Sequence, residues 1–172
     1  RLQGAEILAE EQAHSDTLTG LRNRRSLERI LDHLSQTKED FSLIQIDLDY
    51  FKSVNDTLGH AAGDMILQHV ATVLRRETRR DDYLIRMGGD EFLLVIKHLI
   101  DKPRLMSLSQ AVIHGIEEPQ DFEGQSCQIS ASLGVLIQSG RACWKGADLL
   151  HRVDEAVYAS KHGGRGRASF VA

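Results

Sequence analysis

Two pairs of acids stand where apolar runs stop. The segment Phe41-Ser-Leu-Ile-Gln-Ile-Asp-Leu-Asp49 is apolar enough for a central strand, and it ends in Asp47 and Asp49. Farther along, Gly88-Gly89 separates the β-rich runs Tyr83–Met87 and Glu91–Ile96, with Asp90 and Glu91 directly behind it. A Gly-Gly pair in that setting signals a hairpin, because a two-residue turn needs positive φ at one or both centres. With Gly88 and Gly89 as the turn, Asp90 and Glu91 leave it at the hairpin tip. Pairing of the two strands would then bring Asp47 within a few ångströms of Asp90. Two such carboxylates repel, so at neutral pH they call for a cation between them. Hard oxygen ligands with open positions suit magnesium holding a substrate's phosphates. A single turn acid is ordinarily just solvated; two sets beside buried strands are a stronger coincidence.

Cations fit the same chemistry. Lys52 lies five residues after Asp47, and Tyr50-Phe51-Lys52 can turn backbone N–H groups and an ammonium toward one anion. Lys161-His-Gly-Gly-Arg-Gly-Arg167 gathers four cationic or titratable groups among three glycines, just past a helix. Alone, that cluster reads as favourable C-terminal capping. Its Gly164-Arg-Gly166 element is too short for a dinucleotide site.

The elements that must hold these groups follow from periodicity. Leu2 to His14 is Ala/Glu-rich and helical in pattern, but too short and too weakly apolar to stand alone. Ser15-Asp16-Thr17 interrupts it, so the domain boundary is expected near Ser15, with residues 1–15 as an appendage and 16–172 as the main unit. Leu27, Ile30, Leu31 and Leu34 form the apolar face of a helix from about Arg24 to Leu34. After a polar stretch, Gly63 to about Thr78 turns Ile66, Val70, Val73 and Leu74 inward, and Lys102–Glu118 and Ala147–Lys161 are further helices. Ser126–Ile137 reads as one strand and Ala168–Val171 as an edge strand. This order points to an α+β fold, an antiparallel or mixed sheet covered by helices.

Composition bounds the class. The 172 residues amount to one domain, 27% charged and 41% hydrophobic, with enough apolar side chain for a core. Twenty-one basic against 25 acidic residues leave a net charge of −4. That argues against a broad nucleic-acid surface but leaves room for a local phosphate site. The longest purely apolar run, Phe92–Ile96, is far short of a bilayer span. No signal peptide opens the chain, and Arg1 in place of Met leads to the expectation of a piece cut from something longer. Cys127 and Cys143, without companions at zinc spacing, read as reduced thiols of a cytoplasmic protein; a membrane anchor elsewhere in the parent is compatible with that.

Asp47-Leu-Asp-Tyr-Phe-Lys-Ser-Val-Asn-Asp-Thr-Leu-Gly-His-Ala-Ala-Gly-Asp64, followed by Arg86-Met-Gly-Gly-Asp-Glu-Phe92, resembles the signature of GGDEF domains. Asp16-Thr-Leu-Thr-Gly-Leu-Arg-Asn-Arg-Arg25 resembles that family's opening motif, with Thr17 where proline is usual. Asp154-Glu-Ala-Val-Tyr-Ala-Ser-Lys-His-Gly-Gly-Arg165 resembles its closing motif, with Gly166 where asparagine is common. The resemblance implies a five-stranded, mostly antiparallel central sheet flanked by helices, similar to polymerase palm and nucleotidyl cyclase domains.

It further implies a diguanylate cyclase, which condenses two GTP into cyclic di-GMP and releases two pyrophosphates. Carried over by motif, Asp47, the Leu48 carbonyl and Asp90 would hold magnesium, with manganese as the alternative ion. Such a cation polarises the α-phosphate and neutralises the leaving pyrophosphate. Asp90 or Glu91 would deprotonate the attacking 3′-hydroxyl, and Lys52 would stabilise the transition state. Asn55 and Asp64 resemble the guanine-reading pair, in a donor and acceptor pattern that adenine cannot match. Asn55 also suits a turn, and Asp64 a helix N-terminus. Phe51 would line the nucleotide site, His60 would lie near ribose or base, and Lys161 and Arg165 would bind the β- and γ-phosphates. Arg79-Arg-Asp-Asp82 resembles the inhibitory site, with Arg79 and Asp82 receiving the product.

Since each domain binds one GTP, a homodimer is implied, and residues 1–15 would join a missing N-terminal sensory or regulatory region. A silent GGDEF domain that binds GTP or cyclic di-GMP is the alternative. The presence of Asp47, Lys52, Gly88, Gly89, Asp90 and Glu91 speaks against it. A nucleic-acid polymerase-like palm would need a template surface that the net charge opposes.

Overall fold

The protein is represented by a computed structural model, in which residues 5–6 and 13–172 are described. In chain order, β1 (Arg22–Asn23) leads into α1 (Arg24–Thr37), β2 (Phe41–Asp49), α2 (Phe51–Leu58) and α3 (His60–Glu77). Then come β3 (Tyr83–Gly88), β4 (Glu91–Lys97), α4 (Lys102–Ile116) and the small strands β5 (Gln120–Phe122) and β6 (Gln125–Cys127). β7 (Ser130–Gln138), α5 (Gly146–His162) and β8 (Ala168–Phe170) complete the fold. Most of the helix expected over Leu2–His14 lies outside the described residues.

β2 is central because both of its faces are apolar. Successive side chains of a strand point to opposite faces. Ile44 and Ile46 accordingly join one core, and Leu43, with Phe41, the other. β4 repeats the alternation, Phe92, Leu94 and Ile96 facing the first core and Leu93 and Val95 the second. Ile66, Val70 and Leu74 of α3 and Val112 of α4 close the first core. Leu27, Ile30 and Leu34 of α1, with Leu149 and Val153 of α5, close the second. The result is a helix–sheet–helix sandwich of the expected α+β class.

The sheet has six strands in the order β1-β3-β4-β2-β7-β8, one more than the expected five. The β2–β4, β2–β7 and β3–β4 pairs are antiparallel, and the short edge strands β1 and β8 add in parallel. The extra strand is the two-residue β1, too short to leave any alternation in the sequence.

Other expectations need correction. The polar stretch after β2 is the helix α2, whose Ser, Asn, Asp and Thr hide its helical period. Tyr50, at φ 71°, turns the chain from β2 straight into it. α3 begins at His60 rather than Gly63, and α4 ends at Ile116 rather than Glu118. The strand expected over Ser126–Ile137 is divided: β6 pairs back on β5 as a hairpin, and β7 starts only at Ser130. Cys127 is buried and Cys143 exposed, both as thiols. Among the described residues, no helix is long and apolar enough to cross a membrane.

Candidate active site

The glycine turn is displaced by one residue from its expected place. β3 and β4 pair Gly88 with Glu91, so Gly89 and Asp90 form the turn and Asp90 sits at its tip. A register shift between Arg86 and Gly88 produces the offset, and the two glycines take φ values of 145° and 50°. Arg86 braces this turn by donating from Nε and Nη2 to the Gly89 carbonyl at 3.1 and 2.9 Å. Its Nη1 reaches the Asp16 carboxylate at 3.2 and 3.3 Å. Asp16 also accepts from the Thr19 N–H and hydroxyl at 2.9 and 2.6 Å. Burial pushes the Asp16 carboxyl up, but the Thr19 hydrogen bonds and the Arg86 guanidinium outweigh it and hold the group below its usual range.

β2 brings its acids to the same end of the sheet. Asp47 lies opposite Glu91, and the Leu48 N–H donates to the Asp90 backbone carbonyl at 3.2 Å. Burial pushes Asp47 up to about 6; Lys161 opposes the shift, and Asp90 and Glu91 add to it. Glu91 is also raised, by burial and then by Asp154 and Asp90, against the pull of Arg24 and Lys161. This crowd of carboxylates suits a divalent cation. Among the described residues no three His, Cys, Asp or Glu side chains form a closed metal cage, so oxygens of a ligand would have to complete the shell.

The raised Asp47 has a measurable consequence in metal-free protein. A folded state that holds a proton more tightly than the unfolded chain gains stability at low pH. That gain is lost as the pH rises from about 4 to about 6. Asp47→Asn removes the penalty, so its melting temperature relative to the parent should be higher at about pH 7.5 than at about pH 4.5. Thermal scans in chelator check this; an identical offset at both pH values would contradict the raised carboxyl.

The closing motif delivers its cations to the same place. Lys161, in the last turn of α5, puts Nζ 3.5 Å from Asp47 and 3.3 Å from Asp49, while Arg165 Nε lies 3.9 Å from Asp49. The sequence had offered Asp49 as a strand-end acid without a role. Residues i and i+2 of a strand share a face, which was the available signal that Asp47 and Asp49 look toward one partner.

The proposed guanine readers occupy the neighbouring pair of helices. Lys52 is exposed on the first turn of α2, and Phe51 packs against the first core. Asn55 is half-buried within α2 rather than in a turn, and His60 and Asp64 are exposed on α3. Because α3 starts at His60, Asp64 does not occupy the helix start. Gly63 permits the close approach of the two helices: a Cβ there would strike the Asn55 Oδ1 and lie 2.9 Å from its Cγ. Gly63→Ala should therefore displace the Asn55 amide; with Asn55 as the guanine reader that the family resemblance implies, the KM for GTP would rise about tenfold, the equivalent of ~1.4 kcal/mol, with kcat little changed. Steady-state kinetics against GTP check this, and an unaltered KM would remove Asn55 from guanine recognition.

Arg79 and Asp82 are brought together, but not near the carboxylates. They precede β3, whose six residues, at ~3.3 Å each, separate them from the turn at its other end. The Asp82 carboxylate accepts from the Arg79 N–H at 2.9 Å and lies 3.5 Å from the guanidinium, which also donates to the Lys97 carbonyl at 2.7 Å. The Asp82 side chain is 2% exposed and that of Arg79 61%, so the arginine is presented to solvent by a buried acid.

Comparison with known proteins follows the same pattern. The profile of the family described as "Diguanylate cyclase, GGDEF domain" matches residues 13–167. Diguanylate cyclase TpbB of Pseudomonas aeruginosa is 34% identical over 171 residues, covering 96% of this chain and 39% of TpbB. Probable diguanylate cyclase DgcE of Escherichia coli is 37% identical over 164 residues, covering 91% of this chain and 14% of DgcE. The chain thus spans well under half of these relatives. The coiled coil and GGDEF domain of DgcB from Caulobacter crescentus, solved in complex with c-di-GMP, superposes with a TM-score of 0.90 at 26% identity, covering 99% of this chain and 92% of that one. With its motifs gathered at the ends of the central strands, and with this agreement in sequence and fold, the chain belongs to the GGDEF domain family.

Proposed function

We propose that this domain condenses two GTP into cyclic di-GMP, releasing two pyrophosphates, across a homodimer and with magnesium or manganese. The observation that carries the reading is the meeting of Asp47, Glu91 and Lys161 at adjoining strand and helix ends, with Asp90 at the tip of the turn beside them. Asp47, the Leu48 carbonyl and Asp90 are the groups that would hold the cation, which supplies charge neutralisation at the phosphates. Asn55 and Asp64 read guanine, Phe51 and His60 line the nucleotide, and Lys52, Lys161 and Arg165 take phosphate charge. The 3′-oxygen of one GTP bonds to the α-phosphorus of the other, and the bond to the pyrophosphate oxygen breaks. Glu91, whose carboxyl is raised, suits the hydroxyl proton better than an ordinary carboxylate, with Asp90 beside it.

Each domain supplies one nucleotide, so two must face each other, and pairing supplies the proximity. Residues 16–172 are read as a cytoplasmic catalytic unit under the control of a sensory or regulatory region. A coiled coil accompanies the GGDEF domain in the DgcB structure, which supports that reading.

Incubating the purified chain with GTP and magnesium at high protein concentration, followed by product identification, tests the proposal. Cyclic di-GMP is expected; GTP bound without turnover would favour the silent binding module. Arg79 and Asp82 are proposed to receive the product. Arg79→Ala should raise the cyclic di-GMP concentration for half-inhibition by about tenfold or more, since charge-assisted contacts are worth ~1.5–3 kcal/mol. An unchanged inhibition curve would return Arg79 to an ordinary surface role.

A further inference from the structure

We infer that Asp49 is a positioning residue, a buried clamp that fixes the Lys161–Arg167 segment to the end of β2 and so sets the grip on the nucleotide's terminal phosphates. The clamp stands on geometry alone; the identity of its anion rests on the GTP reading above.

The Asp49 side chain is fully buried, and all its partners are donors. The Ser132 hydroxyl of β7 donates to the carboxylate, at 2.9 and 3.0 Å from its two oxygens. The Gly166 N–H donates to Oδ2 at 3.1 Å, and Lys161 Nζ to Oδ1 at 3.3 Å. Three donors thus converge on two oxygens that offer about four acceptor sites, so most of the carboxylate's hydrogen-bonding capacity is spent on holding the segment. A buried carboxylate stripped of such donors would be strongly unfavourable, so the donors and the acid hold one another in place.

Two consequences reach the phosphate end. Lys161 donates to Asp49 and its ammonium lies 3.5 Å from Asp47, so its direction is set by the two carboxylates rather than by its own flexible stem. Arg165 and Gly166 follow with φ of 64° and 56°. The left-handed conformation is unfavourable for arginine. The Gly166 N–H bond to Asp49 locks that bend and with it the direction in which Arg165 leaves the loop. Asp49 therefore acts through two cations that neither adjoin it in sequence nor share its element.

Asp49→Asn tests this, because it keeps the shape while turning one acceptor into a donor that faces donors. Calorimetric affinities of the full chain are compared for GMP and for a β,γ-imido analogue of GTP. The variant should bind the triphosphate analogue about tenfold or more weakly while GMP binding is unchanged. In a Lys161→Met background the same substitution should cost distinctly less, since the lysine is one of its effectors. Equal losses for both nucleotides, or additive losses in the double variant, would overturn the inference as general damage. Hydrogen exchange at the Gly166 amide tests the clamp without nucleotide: acceleration in Asp49→Asn is expected, and unchanged protection overturns it. If Asp49→Asn fails to fold, Ser132→Ala should show the same nucleotide selectivity in milder form, and its absence overturns the proposal. A parent chain that does not prefer the triphosphate to GMP would sink the GTP reading separately, with the exchange result still deciding the clamp.

Discussion

Asp90→Ala should abolish cyclic di-GMP formation, a loss of at least about 10³-fold, while the melting temperature stays within about 2 °C of the parent. The separation of activity from stability follows from how Asp90 is built in. The Leu48 N–H bonds to its backbone carbonyl, which alanine retains. Asp90 is not among the residues with positive φ, so the turn tolerates a Cβ without strain. Its carboxylate pushes both Asp47 and Glu91 upward, hence its removal relieves repulsion in the metal-free protein. What disappears is half of the carboxylate set that would face the cation. Product formation by chromatography and a thermal scan on the same sample provide the check; undiminished turnover would remove Asp90 from the reaction.

Gly134 offers an effect of comparable size by an unrelated route. It sits in β7 opposite Gln45 of β2, directly beneath α5. A Cβ there would collide with the Val153 carbonyl and lie 2.7 Å from the Val157 backbone N and 3.0 Å from Ala156 Cβ. Two of those three neighbours are helix backbone, which cannot swing aside as a side-chain tip can. Gly134→Ala must push α5 off the sheet, at a cost of about 2–3 kcal/mol, lowering the melting temperature by roughly 5–10 °C. Gly134→Val, with further methyl groups in the same space, should leave little folded protein. Because α5 carries Lys161, the alanine variant should also bind GTP more weakly under conditions where it remains folded. A melting temperature unchanged in Gly134→Ala would contradict the close packing of α5 on β7.

Local patterns were enough for the strongly periodic elements. β2 and the β3–β4 hairpin announce themselves as short apolar runs bounded by turn signals, and α1 and α3 by apolar faces of period 3.6. α2 is less legible: Phe51, Val54 and Leu58 recur at helical spacing and meet the first core, but the helix is only eight residues long and its other five residues are polar. β1 takes its strand conformation from pairing with Ile85 and Arg86, far away in sequence. The glycine turn was recognisable as a turn, but its register was not; the shift between Arg86 and Gly88 makes Asp90 a turn centre rather than the first residue beyond it.

The same division runs through the site. The sequence by itself determined the order of the longer elements, the acids at the strand ends, the cations of the closing motif and the resemblance that joined them, because each is carried by residue type and short spacing. Tertiary structure alone decided that Lys161 meets Asp47 and Asp49. It also decided that Asn55 lies against Gly63, that Asp47 holds its proton to about 6 and that Asp82 buries itself beneath an exposed Arg79. Those are matters of distance and desolvation between segments remote in the chain, and burial and charge act through space rather than along the sequence.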